Sequence, residues 1–138
     1  MLHISFAAVA QNDYKENTIV VSCIYRSNDY FITSVDAIYL LEAFTGSQFE
    51  VEEKNRIRRN LEGCRPMTIS KSKPGTEGFF RMLMELPPPR PRNIEKDVKV
   101  FEWGKLKSMF KRVFSKYVRL ISFVGSSFCF DTPSQNSQ

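Results

Sequence analysis

The chain has 138 residues, of which 42% are hydrophobic and 13% aromatic, so its composition predicts one folded domain and excludes wholesale disorder. Its net charge of +5 hides an asymmetry: residues 54 to 119 carry 18 Lys/Arg against 6 Asp/Glu, a surplus of 12, whereas the rest carries 2 basic and 9 acidic residues. Clustered positive charge concentrates polyanions near the surface and therefore indicates an anionic partner.

Cysteine usage and hydropathy exclude further classes of protein. Cys23, Cys64 and Cys129 are far apart and form no CxxC pair, so we expect no disulfide framework, no metal site and no cofactor. The N-terminus lacks a basic region ahead of its short apolar run, which argues against a signal peptide. The apolar stretch from residue 117 to residue 130 contains Arg119 and falls short of the ~20 residues that a membrane span needs. A soluble intracellular protein without a membrane span is expected.

The first third of the chain predicts one strand and one helix. Residues 18 to 25 are rich in β-branched side chains and favour a short strand, while the remainder of residues 1 to 32 is poorly defined. A helix should begin at Thr33 or Ser34, because either side chain can accept a hydrogen bond from the opening turn. Gly46 can adopt the left-handed conformation that ends it.

The second helix is the best specified element and spans about Glu50 to Glu62. Its first turn is acidic and its last turn basic, as the helix dipole favours. Gly63 is predicted to be the left-handed residue that follows it. Residues 65 to 75 contain two prolines and alternating serine and lysine, a composition that predicts a solvated connector.

A third helix is predicted from Thr76, whose side chain can cap it, to Leu86, because Pro87 cannot continue a helix. The run from Pro87 to Arg92 predicts an extended polyproline segment. Such a segment is either a ligand for an aromatic groove or a rigid spacer. The basic residue expected two places after a PxxP core is absent, which favours the spacer.

A short extended segment from Val98 to Trp103 leads into a fourth helix that begins at about Gly104. Apolar residues recur along this helix at intervals of three and four, and basic residues fill the other positions, so it is amphipathic. Its apolar side either faces the core of a small bundle or is presented to calmodulin, to anionic lipid or to a partner groove.

No constellation of catalytic residues is visible. The single histidine, His3, lies in the least defined segment, and there is no GxGxxG, P-loop or HExxH motif, so we expect no enzyme. Basic side chains on the second and fourth helices are candidates for phosphate contacts, since guanidinium groups match phosphate oxygens. The alternative for these residues is a solvated helix face with internal ion pairs. The candidate anion-binding residues are Arg56, Arg58, Arg59, Arg65, Lys105 and Arg112.

These elements predict a mainly α fold: a small four-helix domain with one or two short strands and flexible termini. Residues 33 to 120 form the helical domain, residues 1 to 32 an N-terminal segment, and residues 121 to 138 a tail that is disordered at its end. The residues predicted to form the core are Ile57, Leu61, Phe79, Leu83, Trp103, Leu106 and Phe110.

Two longer sequence segments show a resemblance to a known family. Residues 49 to 63 read FEVEEKNRIRRNLEG, and residues 91 to 101 read PRNIEKDVKVF. From about Thr33 to Tyr117 the chain resembles the fungal medusa-type transcriptional regulators, which share a domain of unassigned function. The resemblance implies a nuclear, non-enzymatic regulator of fungal development such as conidiation. It further implies DNA or a nuclear protein as partner and, because members of the family are longer, a truncated member.

The alternative function is a cytosolic protein-interaction module that presents the helix containing Trp103 to calmodulin or anionic lipid. The two hypotheses differ in one structural property. Trp103 should be buried in a regulator that uses its basic surface, and it should be available in a module that presents its apolar stripe. Neither the oligomeric state nor a recognised DNA sequence can be predicted from these residues.

Overall fold

The computed structural model describes residues 2–4, 6–10, 13, 18–86, 91–92, 94, 96–116 and 128–130, and for residues 2–4, 116 and 128–130 the backbone alone. The helices are α1 (Ser34–Thr45), α2 (Val51–Leu61), α3 (Glu77–Glu85) and α4 (Leu106–Lys116), with short 3-10 turns at Glu62–Cys64 and Trp103–Lys105. The strands are β1 (Leu2–Ile4), β2 (Ile24–Arg26), β3 (Asp29–Thr33), β4 (Met67–Ser70), β5 (Asp97–Glu102) and β6 (Phe128–Phe130).

A four-stranded antiparallel sheet in the order β2-β3-β5-β4 lies at the centre of the fold. The mainly α prediction is therefore wrong, since the protein mixes helices with a sheet. The strands β2, β3 and β4 have three, five and four residues, too few for a period-two pattern to stand out. In addition, β1 pairs with β6 in parallel, which brings two segments from opposite ends of the chain together.

The first two strands of this sheet, β2 and β3, form a tight hairpin that was not predicted from the sequence. Ser27 and Asn28 connect them, and both residues have positive φ, 54° and 64°. Two such residues in a two-residue connection match the twist of antiparallel strands. The side chain of Asn28 also accepts a hydrogen bond of 2.9 Å from the hydroxyl of Tyr25.

The predicted connector at residues 65 to 75 contains the edge strand β4, so that prediction is wrong as well. Ile69 on β4 is fully buried. The loop that follows folds back along the strand: Lys73 donates to the Thr68 carbonyl (3.2 Å), and the Thr76 hydroxyl accepts from the Ser70 amide (3.1 Å). Thr76 thus bonds β4 and makes no side-chain cap on α3, although α3 begins beside it as predicted. Exposed strand edges invite unwanted pairing, and this loop covers one.

Helices cover both faces of the sheet. The alternation of side chains along β3 sends Phe31 into a cluster with α3, and Ile32 into a larger cluster with α1, α2 and α4. All seven core residues predicted from the sequence are buried. Each buried aliphatic or aromatic side chain of this size contributes about 1.5–3 kcal/mol through removal of apolar surface from water.

The ends of α1 are as predicted. The Thr33 hydroxyl accepts a hydrogen bond of 3.2 Å from the Asp36 amide, and Gly46 follows with a φ of 76°. The polyproline residues 87 to 90, residues 117 to 127 and the tail from residue 131 onwards lie outside the described residues. No helix within the described ranges has the length and apolar character required to cross a membrane.

Candidate anion-binding surface

Helix α2 carries three of the six predicted site residues, Arg56, Arg58 and Arg59, and its sequence explains how it is oriented. Ile57 and Leu61 are 1% exposed and anchor one side of the helix in the larger core cluster. The opposite side is left to polar residues, because the helix has only this narrow apolar stripe. Glu52 and Glu53 occupy the first turn and Arg58 and Arg59 the last, so the surface is acidic at one end and basic at the other.

Three arginines on and just after α2 point into solvent. Arg56 and Arg59 are exposed and lie three positions apart, which makes them neighbours on the helix surface. Arg65 is exposed too and lies directly after the 3-10 turn, with a φ of 55°. Within the described part of the chain none of the three forms an ion pair or a side-chain hydrogen bond. We refer to Arg56, Arg59 and Arg65 as the exposed arginines.

Arg58 is exposed but already has a hydrogen-bond partner. Its Nη1 donates to Asn55 Oδ1 at 2.9 Å, one turn earlier on the same helix. A guanidinium group has five donors, so this contact leaves others available to an anion. Arg58 can therefore contribute to a site, but Asn55 is tied to it.

Arg112 reaches from α4 to the C-terminal end of α2. Its Nε donates to the Asn60 carbonyl at 3.1 Å and to Asn60 Oδ1 at 2.9 Å. The guanidinium group lies against Gly63, where a Cβ would come within 2.3 Å of Nη2.

This contact corrects the role predicted for Gly63. Gly63 was expected to be the left-handed residue after α2, but the residue with positive φ there is Arg65. Gly63 is instead the position where Arg112 approaches the backbone closely, and an added side chain would force that guanidinium group to move.

Two lysines join Arg112 at the same end of α2. Lys105 donates to the Cys64 carbonyl at 3.4 Å, and Lys99 on β5 forms an ion pair with Glu62. The last carbonyls of a helix lack partners within the helix and carry partial negative charge, so cations stabilise this end. Of the predicted site residues, Arg112 and Lys105 therefore have structural contacts already. Lys99 was not predicted, because its partner lies 37 residues away.

The apolar side of α4 is buried. Trp103, which precedes the helix, is 5% exposed, and Phe6 packs edge-on against its ring with 5.2 Å between centroids. The apolar residues of the helix itself, Leu106, Met109, Phe110, Val113 and Phe114, are all buried. The basic residues Lys107, Lys111 and Arg112 remain on the outside.

A second charged cluster, which was not predicted, joins α1 to the end of the polyproline run. Asp36 in the first turn of α1 is fully buried and pairs with Arg92, with 3.0 Å between Oδ1 and Nη1. Arg92 also donates to the Val20 carbonyl at 3.1 Å, and its guanidinium carbon lies 3.7 Å from the centre of the Tyr39 ring. This cation–π contact and the ion pair fix the end of the polyproline run against α1.

The surroundings of Asp36 shift the pKa of its carboxyl in two opposite directions. Burial raises the pKa of its carboxyl, while the hydrogen bond and ion pair with Arg92 and the backbone amide of Ser22 lower it. The net direction is upward. Asp36 is part of the structural framework, because Arg92 binds its Oδ1 and the surrounding core encloses the carboxylate.

The described residues contain no group of three or more His, Cys, Asp or Glu placed to hold a metal ion. Among curated proteins none matches the chain, and no solved structure matches it either. A family model for a domain of unknown function, DUF7082, matches residues 1–114. Because this match covers most of the 138 residues, the chain belongs to the DUF7082 family of domains of unknown function.

Proposed function

We propose that this protein is a non-enzymatic nuclear regulatory module that binds DNA through the basic surface at the C-terminal half of α2. The observation that carries the proposal is the set of exposed arginines. Each is positively charged, open to solvent and without an ion-pair partner in the described part of the chain. Guanidinium groups in this state can bind phosphate oxygens without breaking an ion pair or a hydrogen bond within the described part of the protein.

The surrounding charge supports the same proposal. The exposed arginines lie within the basic stretch that has a surplus of 12 positive charges, and Arg58 and Arg112 stand beside them. A field of one sign around a contact site raises the local concentration of polyanions and speeds their association.

A role in fungal development, as in the medusa-type regulators, is part of the proposal and rests on the sequence segments at residues 49 to 63 and 91 to 101. We expect a fluorescent fusion of the full chain to accumulate in the nucleus of a fungal cell. A uniform cytosolic distribution would contradict the nuclear part of the proposal and leave DNA binding to be judged by itself.

No observation favours the alternative function. A helix that is presented to calmodulin or lipid needs an accessible apolar stripe. Here Trp103 and the apolar residues of α4 are buried in the larger cluster, so presenting them would require part of the core to open.

The test is binding of the purified full chain to a random-sequence DNA duplex, measured by fluorescence anisotropy across a salt series. Each phosphate contact contributes roughly 0.9 to the slope of log affinity against log salt concentration. We expect the variant Arg56→Ala/Arg59→Ala/Arg65→Ala to lose about two to three units of slope relative to the wild-type chain.

A matched control removes the same charge from other surfaces. Lys71, Arg81 and Lys96 are exposed and lie outside α2, with Arg81 on α3 across the sheet. Changing these three to alanine should lower the affinity slightly through the net charge and leave the slope within about one unit of the wild-type value. Equal losses of slope in both triple variants, or no binding by the folded wild-type chain at low salt, would overturn the proposal.

A further inference from the structure

On the basis of the proposed function, we infer that α2 contacts only the phosphate backbone of duplex DNA and that binding is therefore independent of base sequence. Helix α2 carries Arg56 and Arg59, two of the three exposed arginines, and it would be the obvious recognition helix. Three features of its geometry distinguish α2 from a recognition helix.

The first feature is the acidic N-terminal end of α2. Recognition helices place their N-terminal residues against base edges in the major groove. In α2 this end carries Glu50, Glu52 and Glu53, and the carboxylate of Glu50 makes no capping bond to the helix. Three carboxylates at the entering end are repelled by the phosphates on both sides of the groove, so that end is held away from the bases.

The second feature is the state of the two asparagines, the side chains best suited to read adenine. An asparagine reads adenine by donating to N7 and accepting from N6 with one amide. The Oδ1 of Asn55 already accepts from Arg58, and the Oδ1 of Asn60 accepts from Arg112, both at 2.9 Å. The Nδ2 of Asn60 is also buried away from solvent. The amide of Asn60 is therefore unavailable for the paired contact, and the amide of Asn55 would have to release or share its bond with Arg58 to make it.

The third feature is where the free cations lie. Arg56 lies at the middle of the helix, Arg59 in its last turn and Arg65 beyond its end, so two of the three positive charges lie well away from the acidic turn. This gradient orients the helix with its C-terminal half on the backbone. Contacts of that kind fix position and affinity but carry no sequence information.

The experiment compares dissociation constants of the full wild-type chain for three duplexes of equal length at one salt concentration: one of A·T pairs, one of G·C pairs and one of mixed sequence. A selection from a random duplex library runs beside it. Sequence-specific proteins bind their sites typically 10³ to 10⁷ times more tightly than other DNA. For this protein we expect differences of less than about tenfold and no enriched sequence.

The matched variant is Asn55→Ala, which removes an exposed amide without changing charge. Its affinity should stay within about twofold of the wild-type value for all three duplexes, since the amide does not reach a base. A preference of tenfold or more, an enriched sequence or a selective loss of A·T binding in Asn55→Ala would overturn this inference and leave the proposed function standing. Failure of all three duplexes to bind would overturn both.

Discussion

Two groups of cations in this protein consist of side chains that each carry one positive charge, yet they have different roles. The holding cations, Arg92, Arg112, Lys105 and Lys99, each place their side chain on an oxygen of another segment. The exposed arginines, Arg56, Arg59 and Arg65, have no such contact among the described residues. The comparison shows that a basic stretch in a sequence does not reveal which charges are available to a partner, because a cation that satisfies a buried or terminal oxygen is largely committed to the fold.

The largest effect is expected from Arg92→Ala. Removing one partner of a buried ion pair leaves the other charge uncompensated and costs about 3–5 kcal/mol. Asp36 is fully buried, whereas the Arg92 side chain is 38% exposed, so we expect the lower end, about 3 kcal/mol at pH 7. Urea unfolding at 25 °C measures the loss, with Arg81→Ala, an exposed arginine on α3, as the control that should cost less than about 0.5 kcal/mol.

The same variant makes a pH prediction. Burial raises the pKa of Asp36, so the folded protein binds this proton more tightly than the unfolded chain does. The contribution of the carboxyl to stability therefore falls as the pH rises through the folded pKa. Arg92 lowers the pKa of Asp36, so removing Arg92 raises that pKa further. The carboxyl of the variant is then protonated more readily as the pH falls, and the loss of unfolding free energy caused by Arg92→Ala should be smaller at pH 5 than at pH 7. A cost that is the same at both values would show that Asp36 is not the group left unpaired.

A smaller effect is expected where Arg112 meets Gly63. Arg112→Ala removes the hydrogen bonds to Asn60 and should cost about 1 kcal/mol. Gly63→Ala pushes the guanidinium group away and loses the same bonds. Alanine also restricts the conformations of the unfolded chain, which stabilises the folded protein by about 0.4–1 kcal/mol. Its net effect in the wild-type background should lie near zero.

A double-mutant cycle separates these two contributions. In the Arg112→Ala background the bonds are already gone, so Gly63→Ala should stabilise the protein by about 0.4–1 kcal/mol. Strict additivity of the two changes in unfolding free energy would mean that the guanidinium group does not rest on Gly63.

The ion pair between Lys99 and Glu62 should matter less. The two side chains are 42% and 47% exposed, and pairs of this kind contribute about 0.2–1 kcal/mol. A cycle of Lys99→Ala and Glu62→Ala should give a coupling of less than about 0.5 kcal/mol that disappears in 1 M salt. A coupling that persists at high salt would place Lys99 among the strongly committed cations.

The smallest effect on stability is expected from the exposed arginines. The variant Arg56→Ala/Arg59→Ala/Arg65→Ala breaks no ion pair or side-chain hydrogen bond within the described part of the chain, so each change should alter the free energy of unfolding by less than about 0.5 kcal/mol. Urea unfolding of the preparations used for DNA binding checks this. A large loss of stability would move these residues into the group that holds the fold, and any loss of DNA affinity would then have a structural cause.

Local patterns in the sequence predicted the helices and much of the core. The cap at Thr33, the stop at Gly46 and the buried stripe of Ile57 and Leu61 all depend on residues within one or two turns of each other. Helical periodicity repeats often enough over eleven or twelve residues to be read reliably. Strands β3 and β4 were missed because each is too short to repeat its pattern and acquires its hydrogen bonds from β5, far along the chain.

The location of the basic stretch and the opposite charges at the two ends of α2 were determined by the sequence alone, since charge follows from residue type. Which cations remain available was decided by the tertiary structure. Asp36 and Arg92 are 56 residues apart, and Asn60 and Arg112 are 52 apart. Only the packing of the helices and the sheet brings such partners within hydrogen-bond distance, and that packing leaves Arg56, Arg59 and Arg65 facing the solvent.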